Sequence, residues 1–171
     1  HRVIYIDAFT RQAFAGNPCA VLPDALGLTG EQMQAIAREV NLPETAFVLP
    51  STRGDIRVRY FTPRSELPFA GHPTIATAFM LAEEGLIPVE EPTTTINMEF
   101  EIGVLPVEIL LEGGKPERVV MTQQRPTFGQ RFVAEDVAPC LGLRPSELRE
   151  DCSPQVVGTG VPFLIVPVRE V

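Results

Sequence analysis

The chain switches repeatedly between a two-residue and a helical hydrophobic period. Residues 3–9 (VIYIDAF) are β-branched and aromatic and predict a buried strand. The turn residues of FAGNP (14–18) separate it from a second short strand, CAVLP (19–23). Thr29 opens a helix, with Gln32 placed to complete a capping box. Met33, Ile36, Ala37 and Val40 then fall on one face, and the pattern stops near Asn41. TAFVLP (45–50) and DIRVRYFT (55–62) predict two more strands. In the second, Ile56, Val58 and Tyr60 alternate with Arg57, Arg59 and Phe61, which marks one more polar face. Strands over 94–101, 103–111 and 117–123, with EGGKP as a turn, predict a meander.

Residues 73–86 break the amphipathic rule. Pro73 suits a first helical turn, and TIATAFMLA then offers no polar face until Glu83. A helix that is apolar all round is a buried one. Gly85 can close it in a left-handed cap. His72, between Gly71 and Pro73, is expected at or beside the N-cap, next to free backbone N–H groups.

Beyond residue 125 the pattern weakens. RPTFGQRF (125–132) is polar and turn-rich and marks a lobe boundary, giving lobes 1–125 and 126–171. Residues 133–143 and 144–150 predict two short helices, and 154–168 has strand character. GTG (158–160) lacks the third glycine of a dinucleotide fingerprint, and Pro162 sits where its helix would begin.

Charge narrows the function classes. A net charge of −8 argues against nucleic-acid partners, which require a basic face, and against an anionic membrane surface. An apolar share of 44% supports a real core. Cys19, Cys140 and Cys152 are odd in number and widely spaced, which predicts reduced thiols in a cytoplasmic protein rather than disulfides or a metal site.

Two places could carry chemistry. Glu44, after Pro43 in a helix–strand link, could act as a general base if partly buried; the plainer reading is a solvated loop carboxylate. His72 could hydrogen-bond a substrate oxygen or move a proton beside an anion-binding helix terminus; the plainer reading is a capping histidine. Gly71 would let a ligand approach the backbone. Asn17 is expected to fix its turn, Asp7 to make a structural hydrogen bond, and Cys19 to lie in the core.

IDAFTRQAFAGNPCAVL, NLPETAFV and RYFTPRSELPFAGHPTIATAFML, in this order and spacing, resemble the PhzF-like phenazine biosynthesis family, and GVPFLIVPV resembles the strand opening its second lobe. The resemblance implies an α+β, diaminopimelate epimerase-like fold: a mixed, largely antiparallel sheet wrapped around a central buried helix, in two pseudo-symmetric lobes with the site between them. It implies a cofactor-independent isomerase acting on a small cyclic carboxylate such as trans-2,3-dihydro-3-hydroxyanthranilate. Glu44 matches the proton carrier and His72 the assisting cleft histidine. Asn17, Gly71, Pro73 and Thr74 fall to substrate binding, with no metal ligand implied. Family members commonly form homodimers.

Two departures matter. Two-thiol racemases of this fold place a cysteine just before the helix glycine, where this chain has Ala70. The aspartate and Gly/Ser-rich turn of the family's second lobe have no match in 126–171, so the second lobe is expected to be incomplete. The site would then need a complementary C-terminal segment. The alternative is a non-catalytic, half-length binding or assembly protein of the same fold.

Overall fold

The computed structural model describes residues 1–159 and 161–170. Its contacts divide the chain into two units, His1–Thr122 and Gln123–Val171. In the first, β1 (Ile4–Ala8), β2 (Asn17–Leu22), β3 (Glu44–Leu49), β4 (Ile56–Phe61), β6 (Thr93–Phe100), β7 (Gly103–Glu112) and β8 (Lys115–Met121) form one sheet in that order. The short β5 (Glu66–Leu67) pairs beside β4. The pairs β2–β3 and β4–β6 are parallel and the others antiparallel, so the sheet is mixed. Gly113 and Gly114, both at positive φ, make the two-residue turn that joins Glu112 to Lys115.

Helix α1 (Gly30–Val40) lies on one face of this sheet and α2 (Gly71–Glu83) on the other. Met33 and Ala37 of α1 pack with Leu22, Phe47 and Phe61 in a small core. Phe61, on the arginine-bearing face of β4, is therefore buried, against Phe47 in an edge-to-face pair at 5.3 Å. Helix α2 touches β1, β2, β3, β7 and β8, so the sheet curls around it from one edge to the other. Ala76, Ala78, Met80, Leu81 and Ala82 join the main core with Val21, Ala46, Val58, Met98 and Ile109. The run of small residues along α2 lets the strands approach closely on several sides.

Helix α2 spans Gly71–Glu83 rather than 73–86. It starts earlier because proline is tolerated anywhere in the first turn, where the N–H has no intrahelical partner. It ends in a Schellman motif: Leu86 N–H donates to Leu81 at 2.8 Å and Gly85 N–H to Ala82 at 3.1 Å, with Gly85 at φ 65°.

The second unit holds β9 (Thr127–Arg131), β10 (Gln155–Gly158) and β11 (Pro162–Ile165), ordered β11-β10-β9 and antiparallel. Strand β9 occupies the segment expected to be a turn-rich boundary. The two predicted helices shrink to one α turn, α3 (Ala134–Val137), and two 3₁₀ turns, Ala138–Leu141 and Pro145–Glu147. Pro139 withholds an N–H that a longer first helix would use, and the extended backbone at Leu148 ends the second turn. Gly160, the last residue of GTG, lies outside the described residues. Among the described residues no helix is long and apolar enough to cross a membrane.

Candidate active site

The site forms where β2 and β3 start and α2 begins. Parallel pairing sets Cys19 opposite Glu44. Cys19, Val21, Ala46 and Val48 face the core under α2, whereas Leu22 and Phe47 face α1. Strand alternation therefore turns Asn17 and Glu44 toward α2 as well. Both residues open strands, a correction to their expected places in a turn and a link: Asn17 is the first residue of β2 and Glu44 the first of β3. Pro18 can hold the second position of β2 because its missing N–H costs little at a strand start.

No side chain caps the N-terminus of α2; its N-cap is Ala70 in an extended conformation. Pro73 has no N–H, so Gly71 and His72 present the first-turn donors, strengthened by the helix dipole. His72 lies inside this turn, not at the cap. Its Nε2 is 3.3 Å from the Pro18 carbonyl and 3.3 Å from Glu44 Oε2. A carbonyl only accepts, so Nε2 carries the hydrogen and donates it to Pro18. Glu44 Oε2 is then left as a buried oxygen without a hydrogen-bond partner. The Glu44 side chain as a whole keeps 21% exposure and that of His72 keeps 11%. An unsatisfied buried carboxylate oxygen is a standing cost that a ligand donor would remove.

The neighbouring groups are protonically quiet. Burial, reinforced by the Glu44 charge, pushes the Cys19 thiol up to about 12, so it stays neutral beneath the carboxylate. Burial also raises Tyr60, whose hydroxyl is 2.7 Å from Thr74 Oγ1. Thr74 donates to the Ala70 carbonyl at 2.6 Å, so its oxygen accepts from Tyr60. This chain fastens the first turn of α2 from inside and leaves its outer donors free.

Of the residues expected to bind substrate, Gly71 is half-buried at the helix start and Asn17 is exposed at the start of β2. Pro73 and Thr74 are buried, and the Thr74 hydroxyl is committed to Ala70 and Tyr60. Sequence reasoning missed the Pro18 carbonyl, which orients His72, and Tyr60, which anchors Thr74. A backbone carbonyl leaves no mark in side-chain identity. Tyr60, by contrast, shares a strand face with Val58 and could have been placed beside the buried helix.

Residues 6–171 match the phenazine biosynthesis-like protein family, and the chain belongs to it. It is 40% identical over 147 residues to the trans-2,3-dihydro-3-hydroxyanthranilate isomerase of Pseudomonas aeruginosa, an alignment covering 85% of this chain and 51% of that protein. An uncharacterised isomerase of Clostridium acetobutylicum is 36% identical over 174 residues, covering 99% of this chain and 56% of that one. The crystal structure of a PhzF-family phenazine biosynthesis protein from Bacillus anthracis superimposes with a TM-score of 0.85 at 37% identity, over 98% of this chain and 55% of the other. A probable proline racemase from Agrobacterium radiobacter shares the fold alone, at 15% identity and a TM-score of 0.67. The chain thus spans about half the length of the curated relatives it matches.

Proposed function

We propose that this chain supplies the Glu44-bearing half of a cofactor-independent isomerase, acting on a small cyclic carboxylate such as trans-2,3-dihydro-3-hydroxyanthranilate. The observation that carries the reading is the Glu44 oxygen, buried and unpartnered 3.3 Å from His72 at an uncapped helix start. The Glu44 carboxylate takes a proton from a ring carbon. The C–H electron pair moves into the adjacent π system, and the carboxylic acid returns the proton to another carbon of that system. The Gly71 and His72 N–H groups hold the substrate carboxylate. His72 keeps its Nε2 hydrogen toward Pro18 or passes that hydrogen bond to a substrate oxygen.

The names of the P. aeruginosa and C. acetobutylicum relatives support isomerase chemistry. Free thiols at the exposed Cys140 and Cys152 fit a cytoplasmic setting. The assembly is a homodimer or a complex with a complementary C-terminal segment that completes the cleft. The uncapped start of α2 also suits a second reading, a non-catalytic binding or assembly protein of the same fold that holds an anion there and turns nothing over.

The test is kcat of Glu44→Gln against the native protein, purified with whatever polypeptide accompanies it. A loss of about 10²–10⁴-fold with an unchanged fold supports the proton-carrier role. Unchanged turnover removes it, and absence of turnover in the native assembly favours the binding reading.

A further inference from the structure

The Tyr60 hydroxyl is buried where a phenylalanine would fill nearly the same space. The residue is 1% exposed, and its ring stacks on Phe100 at 6.0 Å with an interplanar angle of 24°. Phe100 in turn meets Phe69 edge-on at 5.3 Å. Phe69 and Thr74 flank Ala70, so Tyr60 of β4 and Phe100 of β6 hold the start of α2 on both sides of its N-cap. These ring contacts account for packing and leave the hydroxyl unexplained. Replacing a buried hydroxyl and its partner by apolar groups of the same shape can be close to neutral, so stability alone gives no reason for the pair. Burial keeps the Tyr60 hydroxyl protonated, hence a donor, and its acceptor is Thr74 Oγ1 at 2.7 Å.

A threonine that bonds the carbonyl four residues back is ordinary in helices. Here that carbonyl belongs to the N-cap, Ala70, and Thr74 Oγ1 donates to it at 2.6 Å. The Ala70 C=O shares one planar peptide group with the Gly71 N–H. The bond between them is trans, so the two groups point in opposite directions. Drawing the Ala70 carbonyl toward Thr74 therefore aims the Gly71 N–H away from it, out of the helix start. Hydrogen bonds in series also polarise one another. The Tyr60 donor strengthens the Thr74 O–H as a donor, and a carbonyl polarised by that O–H strengthens the N–H of its own peptide. We propose that Tyr60 and Thr74 are positioning residues that set substrate affinity: through the Ala70–Gly71 peptide they aim and strengthen the Gly71 N–H that holds the substrate carboxylate. This role rests on the carboxylate-holding function proposed above for the turn. Neither side chain touches substrate, and both act on binding rather than on proton transfer.

The experiment titrates 2-aminobenzoate, an aromatic carboxylate with no isomerisable ring, into the native assembly labelled with ¹⁵N-glycine, and reads Kd from the Gly71 amide resonance. Tyr60→Phe keeps the ring and deletes the donor, and Kd rises about threefold. Thr74→Val removes the relay and raises Kd about tenfold, whereas Thr74→Ser, which keeps a hydroxyl, stays within about 1.5-fold of the wild type. Before ligand is added, the Gly71 resonance moves in Tyr60→Phe and Thr74→Val. Gly113 and Gly114, in the β7–β8 turn, hold their resonances and report an intact sheet. With trans-2,3-dihydro-3-hydroxyanthranilate, KM rises in step with Kd and kcat changes less than about twofold. Unchanged Kd in Tyr60→Phe and Thr74→Val overturns the role, as does a Thr74→Ser variant that binds no better than Thr74→Val, or a fall in kcat at constant KM. A native assembly that holds no 2-aminobenzoate overturns the carboxylate site and the positioning role together. Binding of the probe needs no proton transfer, so failure of Glu44 as proton carrier is a separate result.

Discussion

The two long helices of the first unit start in opposite ways. Helix α1 is closed at its beginning: Gln32 N–H donates to Thr29 Oγ1 at 3.2 Å, and Thr29 N–H donates to Gln32 Oε1 at 2.9 Å. Helix α2, far more buried, begins at Ala70 with no side-chain cap. Burial would ordinarily make an uncapped start more costly, since its donors cannot turn to bulk water. The contrast assigns different work to the two termini. The cap of α1 serves stability at the surface. The start of α2 is secured internally by Tyr60 and Thr74, and its outward donors sit beside Glu44 and His72.

Replacing Glu44 by Gln tests that division most severely, with the turnover loss given above and little change in unfolding midpoint. High pH gives the next largest effect. The Cys19 thiol is raised from 9.0 to about 12 in the folded chain. Between these values the unfolded state has lost a proton that the folded state keeps, so stability falls as pH rises, by about 1.4 kcal/mol per pH unit. Cys19→Ala should flatten that slope in urea unfolding at pH 9–11. Thr74→Val strands the Tyr60 hydroxyl and should cost about 1–3 kcal/mol, part of which Tyr60→Phe restores in the double variant. The smallest pair sharpens the comparison itself. Thr29→Ala should lower stability by about 1 kcal/mol and leave kcat/KM untouched, whereas Ala70→Ser should add up to about 1 kcal/mol and raise KM by competing for the α2 donors. Equal kinetic effects from both would erase the distinction between the termini.

The capping box at Thr29, the Gly-Gly turn and the all-round apolarity of α2 were legible because each depends on local chemistry at fixed spacing. The meeting of Glu44 and His72 became legible only through the family resemblance, since parallel pairing of β2 with β3 joins segments that no local pattern connects. Boundaries near proline were the weak points. Pro18 lies inside β2 and Pro73 inside the first turn of α2, positions where a missing N–H is harmless and so gives no stop signal. The second unit was least legible, because its 3₁₀ turns and four- or five-residue strands carry too few residues to establish a period.

The most direct test of the central claim is solvent deuterium incorporation. The native assembly and its Glu44→Gln variant would be incubated in D₂O with trans-2,3-dihydro-3-hydroxyanthranilate and followed by proton NMR. The proton-carrier account predicts deuterium at the newly protonated ring carbon with the native protein, to the extent that Glu44 exchanges with solvent before returning its proton, and neither product nor label with the variant. Product formation by Glu44→Gln at the native rate would contradict it.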